Sequence, residues 1–197
     1  MKRTFDIVIS LFILICFLPI GLIVSILIVS TSSGGLFYRQ IRIGRNGIPF
    51  RIFKFRSMRT DADKAGKLTV GMRDPRITPI GIFIRKYKLD EFPQFINVLI
   101  GEMSIVGPRP EVKEYVNLYT ESQREILKVK PGITDYASLE YFNENELLSK
   151  SSNPQQTYID EVMPAKLKLN EKYLKNPTIC HDIKIMCKTF FKMLTIK

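Results

Sequence analysis

The densest cluster of charged side chains is Arg85-Lys86-Tyr87-Lys88-Leu89-Asp90-Glu91, in which three cations precede two adjacent carboxylates. In such a pair one carboxylate can act as a nucleophile while the other handles a proton or a metal ion. Adjacent carboxylates also divide such roles by shifting each other's pKa, and the nearby cations would hold a phosphate against them. The alternative is helix capping, because a helix N-terminus favours negative charge. Taken alone, the pair is explained more simply by capping.

The same cluster predicts a metal cofactor. Carboxylate oxygens beside phosphate-binding cations suit Mg²⁺, which keeps several water ligands and bridges substrate phosphates. The predicted cofactor is therefore Mg²⁺, with Asp90 as its ligand from the protein. A second metal candidate, His181 beside Cys180, is explained more simply as a surface histidine.

Two further segments place polar groups on stiff backbone. In Gly107-Pro108-Arg109-Pro110 the prolines restrict the backbone around Arg109, which lowers the entropy cost of aiming its guanidinium at a planar anion. The alternative is a structural loop in which Arg109 forms an ion pair. Lys130-Pro131-Gly132-Ile133-Thr134 is another rigid turn, to which the residues alone assign no role.

The elements that must position these residues predict an α+β fold that is mostly helical. Short strands at residues 36–38 and 50–55, separated by a turn at residues 44–47, predict a short β-hairpin. Apolar spacings of three and four predict helices. The predicted helices cover residues 77–86, 91–99, 111–127, 155–174 and 178–196. The last is basic and amphipathic, which suits either a membrane surface or packing against a core.

The N-terminal segment is apolar and long enough to cross a bilayer, with Asp6 as its single charge between residues 5 and 29. A signal peptide would have a shorter apolar region and a clear small-residue cleavage site. Basic residues flank the segment on both sides, and a straight span would carry one set away from the cytoplasm, against the preference of such flanks. Pro19 would break the helix near its middle. The sequence therefore favours a hairpin over a straight span.

The net charge of +11 requires an anionic partner. The candidates are nucleic acid, an anionic membrane surface and a phosphorylated substrate. Zinc-finger spacing and aromatic-rich RNA motifs are absent from the sequence, so nucleic acid is not among the predicted partners. The apolar N-terminus points instead to membrane lipid and phosphates.

Taken in order, the motifs resemble the bacterial sugar transferases, specifically the small monotopic phosphoglycosyl transferases. Each motif is weak alone, but the ordered set covers almost the whole chain. The motifs are Gln40-Ile41-Arg42-Ile43-Gly44, Lys54-Phe55-Arg56-Ser57-Met58, Leu89-Asp90-Glu91-Phe92-Pro93-Gln94, Asn97-Val98-Leu99, Gly101-Glu102-Met103-Ser104, Gly107-Pro108-Arg109-Pro110 and Pro131-Gly132-Ile133-Thr134.

The resemblance implies transfer of a sugar 1-phosphate from a UDP-sugar to polyprenyl (undecaprenyl) phosphate, which begins assembly of a capsule, exopolysaccharide, O-antigen or glycoprotein glycan. Asp90 matches the nucleophile that attacks the β-phosphate and carries the phospho-sugar. Glu91 matches the partner that deprotonates the acceptor phosphate, and Mg²⁺ neutralises the diphosphate. The cations predicted to contact substrate phosphate are Arg85, Arg109, Lys54, Arg56 and Arg42.

The family's membrane segment is a re-entrant helix broken at a proline, which implies a helix–break–helix turned at Pro19. Residues 1–33 would form this hairpin in the bacterial inner (cytoplasmic) membrane. Residues 34–197 would form a cytosolic catalytic domain with surface amphipathic helices, lying on the cytoplasmic face. Larger relatives carry four further N-terminal spans, which implies that this chain is the catalytic core only. The oligomeric state stays open between a monomer and a homodimer.

The chain departs from the family pattern after the Pro-Gly-Ile-Thr turn. Many relatives continue with Gly and an Ala-Gln pair, whereas this chain has Asp135-Tyr136-Ala137-Ser138-Leu139. The departure leaves the identity of the sugar undetermined. Two functions of other classes compete with the enzyme: a non-catalytic adaptor that binds anionic lipid, and a nucleic-acid-binding protein with steeply salt-dependent binding.

Overall fold

A computed structural model describes residues 1–62, 66, 68–71 and 74–195. Its fold is α+β and mostly helical, which confirms the predicted class. The α-helices are α1 (Lys2–Thr31), α2 (Pro79–Lys86), α3 (Gln94–Ile100), α4 (Lys113–Val116), α5 (Tyr136–Glu140), α6 (Glu144–Ser149), α7 (Pro154–Thr157), α8 (Met163–Leu174) and α9 (Ile179–Leu194). The strands are β1 (Phe37–Tyr38), β2 (Ile41–Ile43), β3 (Pro49–Arg51), β4 (Lys54–Phe55), β5 (Ser104–Val106) and β6 (Gly132–Thr134).

Helix α1 lies against the rest of the protein along its length. Its buried residues, Asp6, Ser10, Phe17, Val24 and Ile28, are separated by four or seven positions and so form one stripe. The opposite face leaves large apolar side chains exposed, and the helix is long and apolar enough to cross a membrane. The apolar outer face is the one available to lipid.

The predicted break at Pro19 is not present. Pro19 lies inside α1, and the helix continues from Lys2 to Thr31, so the expectation of two half-helices was wrong. A proline removes one backbone donor, but neighbouring contacts can make that loss tolerable inside an apolar helix. Here Phe17, two residues earlier, packs on Phe92 with ring centroids 3.9 Å apart.

In the described part of the chain the strands pair into three two-stranded sheets. The predicted strands at 36–38 and 50–55 pair through β1 and β4, and the predicted turn at 44–47 is a 3-10 turn that closes a hairpin of β2 with β3. Strand β2 was not predicted. Strands β5 and β6 form a parallel pair that was not predicted from the sequence. Each is only three residues long, too short to give an alternating pattern.

Most of the predicted helices agree with the structure. Helices α2 and α9 occupy the expected positions, with residue 196 outside the described residues, whereas α3 begins at Gln94 and not at residue 91. Residues 154–174 are helical, with a π-helical turn at Tyr158–Val162 between α7 and α8. The predicted helix at 111–127 was wrong, since α4 ends at Val116 and a 3-10 helix covers Gln123–Lys128. Thr120 and Gln123 exchange side-chain to backbone hydrogen bonds there, which compete with α-helical bonding.

Candidate active site

The Asp90–Glu91 pair lies in a 3-10 turn (Leu89–Glu91) between α2 and α3. Helix α2 is capped at its start by Thr78, whose hydroxyl accepts a hydrogen bond from the amide of Gly81. Lys88 then adopts a left-handed conformation (φ 56°), which turns the chain sharply before the carboxylates. The pair is therefore not a simple cap of a following α-helix, since α3 begins only at Gln94.

Asp90 is buried, yet its carboxylate accepts no hydrogen bond from any residue in the described ranges. It lines a large cavity together with Arg85 and Lys88. Burial raises the pKa of Asp90, Lys54 opposes that effect and the adjacent Glu91 adds to it. Because this carboxylate lines the cavity and is not engaged by a hydrogen bond, it is suited to an incoming electrophile or cation.

Glu91 is held by two cations. The Lys54 ammonium lies 2.9 Å from Oε1, and the Arg109 guanidinium contacts both carboxylate oxygens, with Nη1 3.1 Å from Oε2. Burial alone would raise the pKa of Glu91, but Arg109 and Lys54 outweigh it and hold the pKa well below its usual value. Burial also lowers the pKa of Lys54, an effect that Glu91 partly offsets. The two neighbouring carboxylates thus have opposite environments.

Arg109 is positioned by the loop that follows β5. Its amide donates to Asp135 Oδ2 (3.2 Å), and Asp135, fully buried, also accepts from the amide of Ser138 (2.6 Å). The loop crosses the β6 turn closely, because a Cβ on Gly132 would lie 2.1 Å from the Gly107 amide nitrogen. The charge of Glu91 raises the pKa of Arg109 against the effect of burial.

The other predicted phosphate contacts are only partly free for substrate. Arg85 lines the cavity and reaches Ser57 Oγ at 3.5 Å. Arg56 also lines it, but its guanidinium donates to the carbonyls of Gly35 (3.0 Å), in the segment after α1, and of Phe37 (3.2 Å), in β1. Arg42 donates to the Pro110 carbonyl (3.1 Å), and its buried Nε finds no partner among the described residues. Arg42 therefore holds the loop that carries Arg109.

Sequence reasoning missed two residues that build this site. Asn97, fully buried, accepts a hydrogen bond from the amide of Phe53 (2.8 Å) and donates to the Arg51 carbonyl (3.0 Å) and to Glu102 (2.6 Å). It fixes α3 against the strand region that carries Lys54. Asp135 was treated only as a departure from the family pattern, although an acidic residue before a short helix is a cap signal that could have marked it.

The cavity has a volume of about 1800 Å³, larger than the roughly 300–1000 Å³ of most small-ligand pockets. One wall carries the charged groups described above. Helices α1 and α9 contribute mainly apolar side chains to the lining, among them Phe12, Ile13, Cys16, Met186, Phe190 and Leu194. A cavity of this size and polarity has room for a phosphorylated ligand and an apolar chain together.

The site can accommodate a hard cation at one position. The described residues contain no cluster of three or more His, Cys, Asp or Glu side chains that could hold a metal by themselves. The unpaired carboxylate of Asp90 nevertheless offers oxygen ligands, and Mg²⁺ commonly takes one carboxylate with substrate phosphates and water. Glu91 is occupied by Lys54 and Arg109, so Asp90 is the group that fits.

A comparison with protein families matches residues 1–196 to the bacterial sugar transferase model. An uncharacterized sugar transferase, EpsL, of Bacillus subtilis is 36% identical over 195 residues, covering 98% of this chain and 87% of that protein. The UDP-glucose:undecaprenyl-phosphate glucose-1-phosphate transferase of Escherichia coli is 35% identical over 196 residues, but this chain spans only 40% of its length.

A putative undecaprenyl-phosphate N-acetylgalactosaminyl 1-phosphate transferase of Bacillus subtilis is 44% identical over 133 residues, covering 68% of this chain and 70% of that protein. The family match covers nearly the whole chain, including the Asp90–Glu91 turn and the loop of Arg109. The chain therefore belongs to the bacterial sugar transferase family.

Proposed function

We propose that the protein transfers a sugar 1-phosphate from a UDP-sugar to undecaprenyl phosphate through a covalent intermediate on Asp90. The observation that carries the proposal is the buried carboxylate of Asp90, which has no hydrogen-bond partner among the described residues. It lines the same cavity as Arg85 and as Arg109, which is held by Glu91. The names of the relatives in Escherichia coli and Bacillus subtilis support the donor and acceptor classes.

In the first step a carboxylate oxygen of Asp90 attacks the β-phosphorus of the UDP-sugar. The bond between that phosphorus and the oxygen bridging to the α-phosphate breaks, and UMP leaves with the bridging oxygen. Arg85 and Arg109 would stabilise the negative charge on the phosphoryl oxygens. The sugar phosphate then remains on Asp90 as an acyl phosphate.

In the second step an oxygen of undecaprenyl phosphate attacks the same phosphorus. The bond from phosphorus to the Asp90 oxygen breaks, which restores the carboxylate and releases a lipid-linked diphosphate sugar. Dividing the reaction in this way lets one cavity handle the two substrates in succession. Asp90 would also ligate Mg²⁺, which when bound neutralises part of the charge of the diphosphate.

The membrane arrangement is also part of the proposal. Both ends of α1 contact the catalytic body: Lys2 reaches Asp182, and Arg56 bonds the backbone just after the helix. Because the body packs along α1, we place the two ends on the same side of the inner membrane, the cytoplasmic face. This keeps the body on the side where UDP-sugars are made.

The test uses full-length protein in detergent with Mg²⁺ and a panel of UDP-sugars, and measures UMP release with and without undecaprenyl phosphate. We expect steady turnover only when the lipid is present, and UMP limited to the amount of enzyme when it is not. Asp90→Asn should abolish both signals. An adaptor function predicts no UMP from any donor and liposome binding that Asp90→Asn leaves intact.

A further inference from the structure

Two lysines flank one aromatic ring in the cavity wall. The ammonium of Lys88 lies 5.1 Å from the centroid of the Phe142 ring, and that of Lys192 lies 5.5 Å from it. Lys192 also donates a hydrogen bond to the Leu139 carbonyl (2.6 Å). The cluster therefore joins the turn before Asp90 to helix α9. Cation–π contacts at these distances hold the charges in place without neutralising them.

Neither lysine forms an ion pair with a carboxylate in the part of the chain that the structure describes. Three other cations of the cavity are ion-paired: Lys54 and Arg109 bind Glu91, and Lys166 binds Glu144 at 2.9 Å. Positive charges without an ion-pair partner attract an anion. Lys88 acts on Asp90 and Glu91 only through space, without an ion pair, so both ammonium groups can bind an incoming anion.

The surroundings indicate what kind of anion this site would take. Lys192 belongs to α9, where Phe190 and Leu194 are 60% and 66% exposed and line the same cavity. Phe12 and Cys16 of the apolar helix α1 also line this cavity. A ligand seated here would place its charge on the lysines and an apolar portion between the two helices. A nucleotide offers no such apolar portion, whereas a lipid phosphate offers both.

We propose that Lys88, Phe142 and Lys192 form the binding site for the phosphate of the lipid acceptor, and that its first isoprene units lie between α1 and α9. The inference rests on the proposed function and adds a separate subsite to it. Lys88 lies two residues from Asp90 and within electrostatic reach of its carboxylate. An acceptor phosphate held at this place would therefore lie beside the phospho-sugar on Asp90.

The test separates the two half-reactions in Lys192→Ala. Release of UMP in the first turnover, without lipid, should stay within about twofold of wild type, and so should the KM for the UDP-sugar. The KM for undecaprenyl phosphate should rise about tenfold, because a hydrogen-bonded charge contact to phosphate is lost. Lys192→Arg should restore most of the affinity. Phe142→Leu, which keeps an apolar side chain, should raise the same KM about threefold.

The matched control is Lys188→Ala, which removes an exposed lysine one turn earlier on α9 and outside the cavity. It should change neither KM, which excludes a general loss of membrane attraction. An unchanged KM for undecaprenyl phosphate in Lys192→Ala would overturn the inference, as would a parallel rise in the KM for the UDP-sugar. Absence of UMP release by the wild-type protein would instead refute the proposed function, and the subsite with it.

Discussion

At the scale of residues, two adjacent carboxylates occupy opposite environments because of what each one touches. Asp90 has no hydrogen-bond partner among the described residues, whereas Glu91 is clamped by Lys54 and Arg109. A carboxylate whose pKa lies well below its usual value is a weak base at neutral pH. The contacts of Glu91 therefore favour a positioning role, in which it holds two cations beside Asp90. The proton-handling role implied by the family resemblance stays a prediction.

Glu91→Gln distinguishes these roles. The amide keeps the shape of the side chain but loses the charge that holds Arg109 and Lys54, so we expect UMP release without lipid to fall about a hundredfold. The measurement is the rate of the first turnover with saturating UDP-sugar. If Glu91 acts only as a base toward the acceptor, that rate will be unchanged and only lipid-dependent turnover will fall.

At the scale of elements, the first turn of α1 is bound to the body by polar contacts. Asp6, 3% exposed, accepts from Ser104 Oγ (2.9 Å) and from the amide of Ile105 (3.3 Å) in β5. Arg3 donates to the Leu99 carbonyl at the end of α3 (2.7 Å). These contacts with β5 explain why one acidic residue, Asp6, occurs in the apolar helix α1. These bonds fix α1 against β5, the strand that leads into the loop of Arg109.

We expect Asp6→Ala to destabilise the protein by about 2 kcal/mol, because the Ser104 hydroxyl and the Ile105 amide would be left buried without partners. For a protein of this size that corresponds to a fall in Tm of roughly 4–8 °C. Thermal unfolding in detergent, followed by circular dichroism, measures it. Thr4→Ala, an exposed position two residues earlier, is the control. Equal Tm values for the two variants would contradict the docking role.

The sequence predicted elements with a long periodic pattern and missed those set by tertiary contacts. Helices α2 and α9 follow from apolar spacing, and the turn between β2 and β3 follows from its turn residues. The parallel pair of β5 and β6 does not, because each strand is too short to show a pattern. Likewise, the ordered motifs predicted Asp90 and Arg109, but not that Lys54 and Arg109 would share Glu91, since that contact joins three distant segments.

At the scale of the whole molecule, the body, α1 and α9 together enclose the cavity. The apolar outer face of α1 would meet lipid, while its inner face packs on Phe55 and Phe92 near the site. Helix α9 packs on β5 and β6 through Ile185, while its Phe190 and Phe191 are exposed and line the cavity. The helices that would touch the membrane thus also line the site, which suits a reaction between a soluble donor and a lipid acceptor.

Because α1 is continuous through Pro19, cysteine labelling is needed to determine whether its two ends lie on the same side of the membrane. In a variant whose native cysteines are replaced, single cysteines at Thr4 and at Ser33 should react with an impermeant maleimide in inside-out vesicles and not in right-side-out vesicles. Both positions are exposed at the ends of a helix whose two ends contact the body. Glu121→Cys, on the surface of the body, is the reference. Labelling of Thr4 and Ser33 from opposite sides would contradict the arrangement and indicate a true span.

The most direct test of the account is the mass of the protein after reaction with a UDP-sugar and Mg²⁺ in the absence of lipid. We expect one phospho-sugar per chain, located by peptide mapping on Asp90, and its loss when undecaprenyl phosphate is added. Asp90→Asn should remain unmodified under the same conditions. An adduct on Glu91, or no adduct from a donor that supports UMP release, would contradict the proposed mechanism.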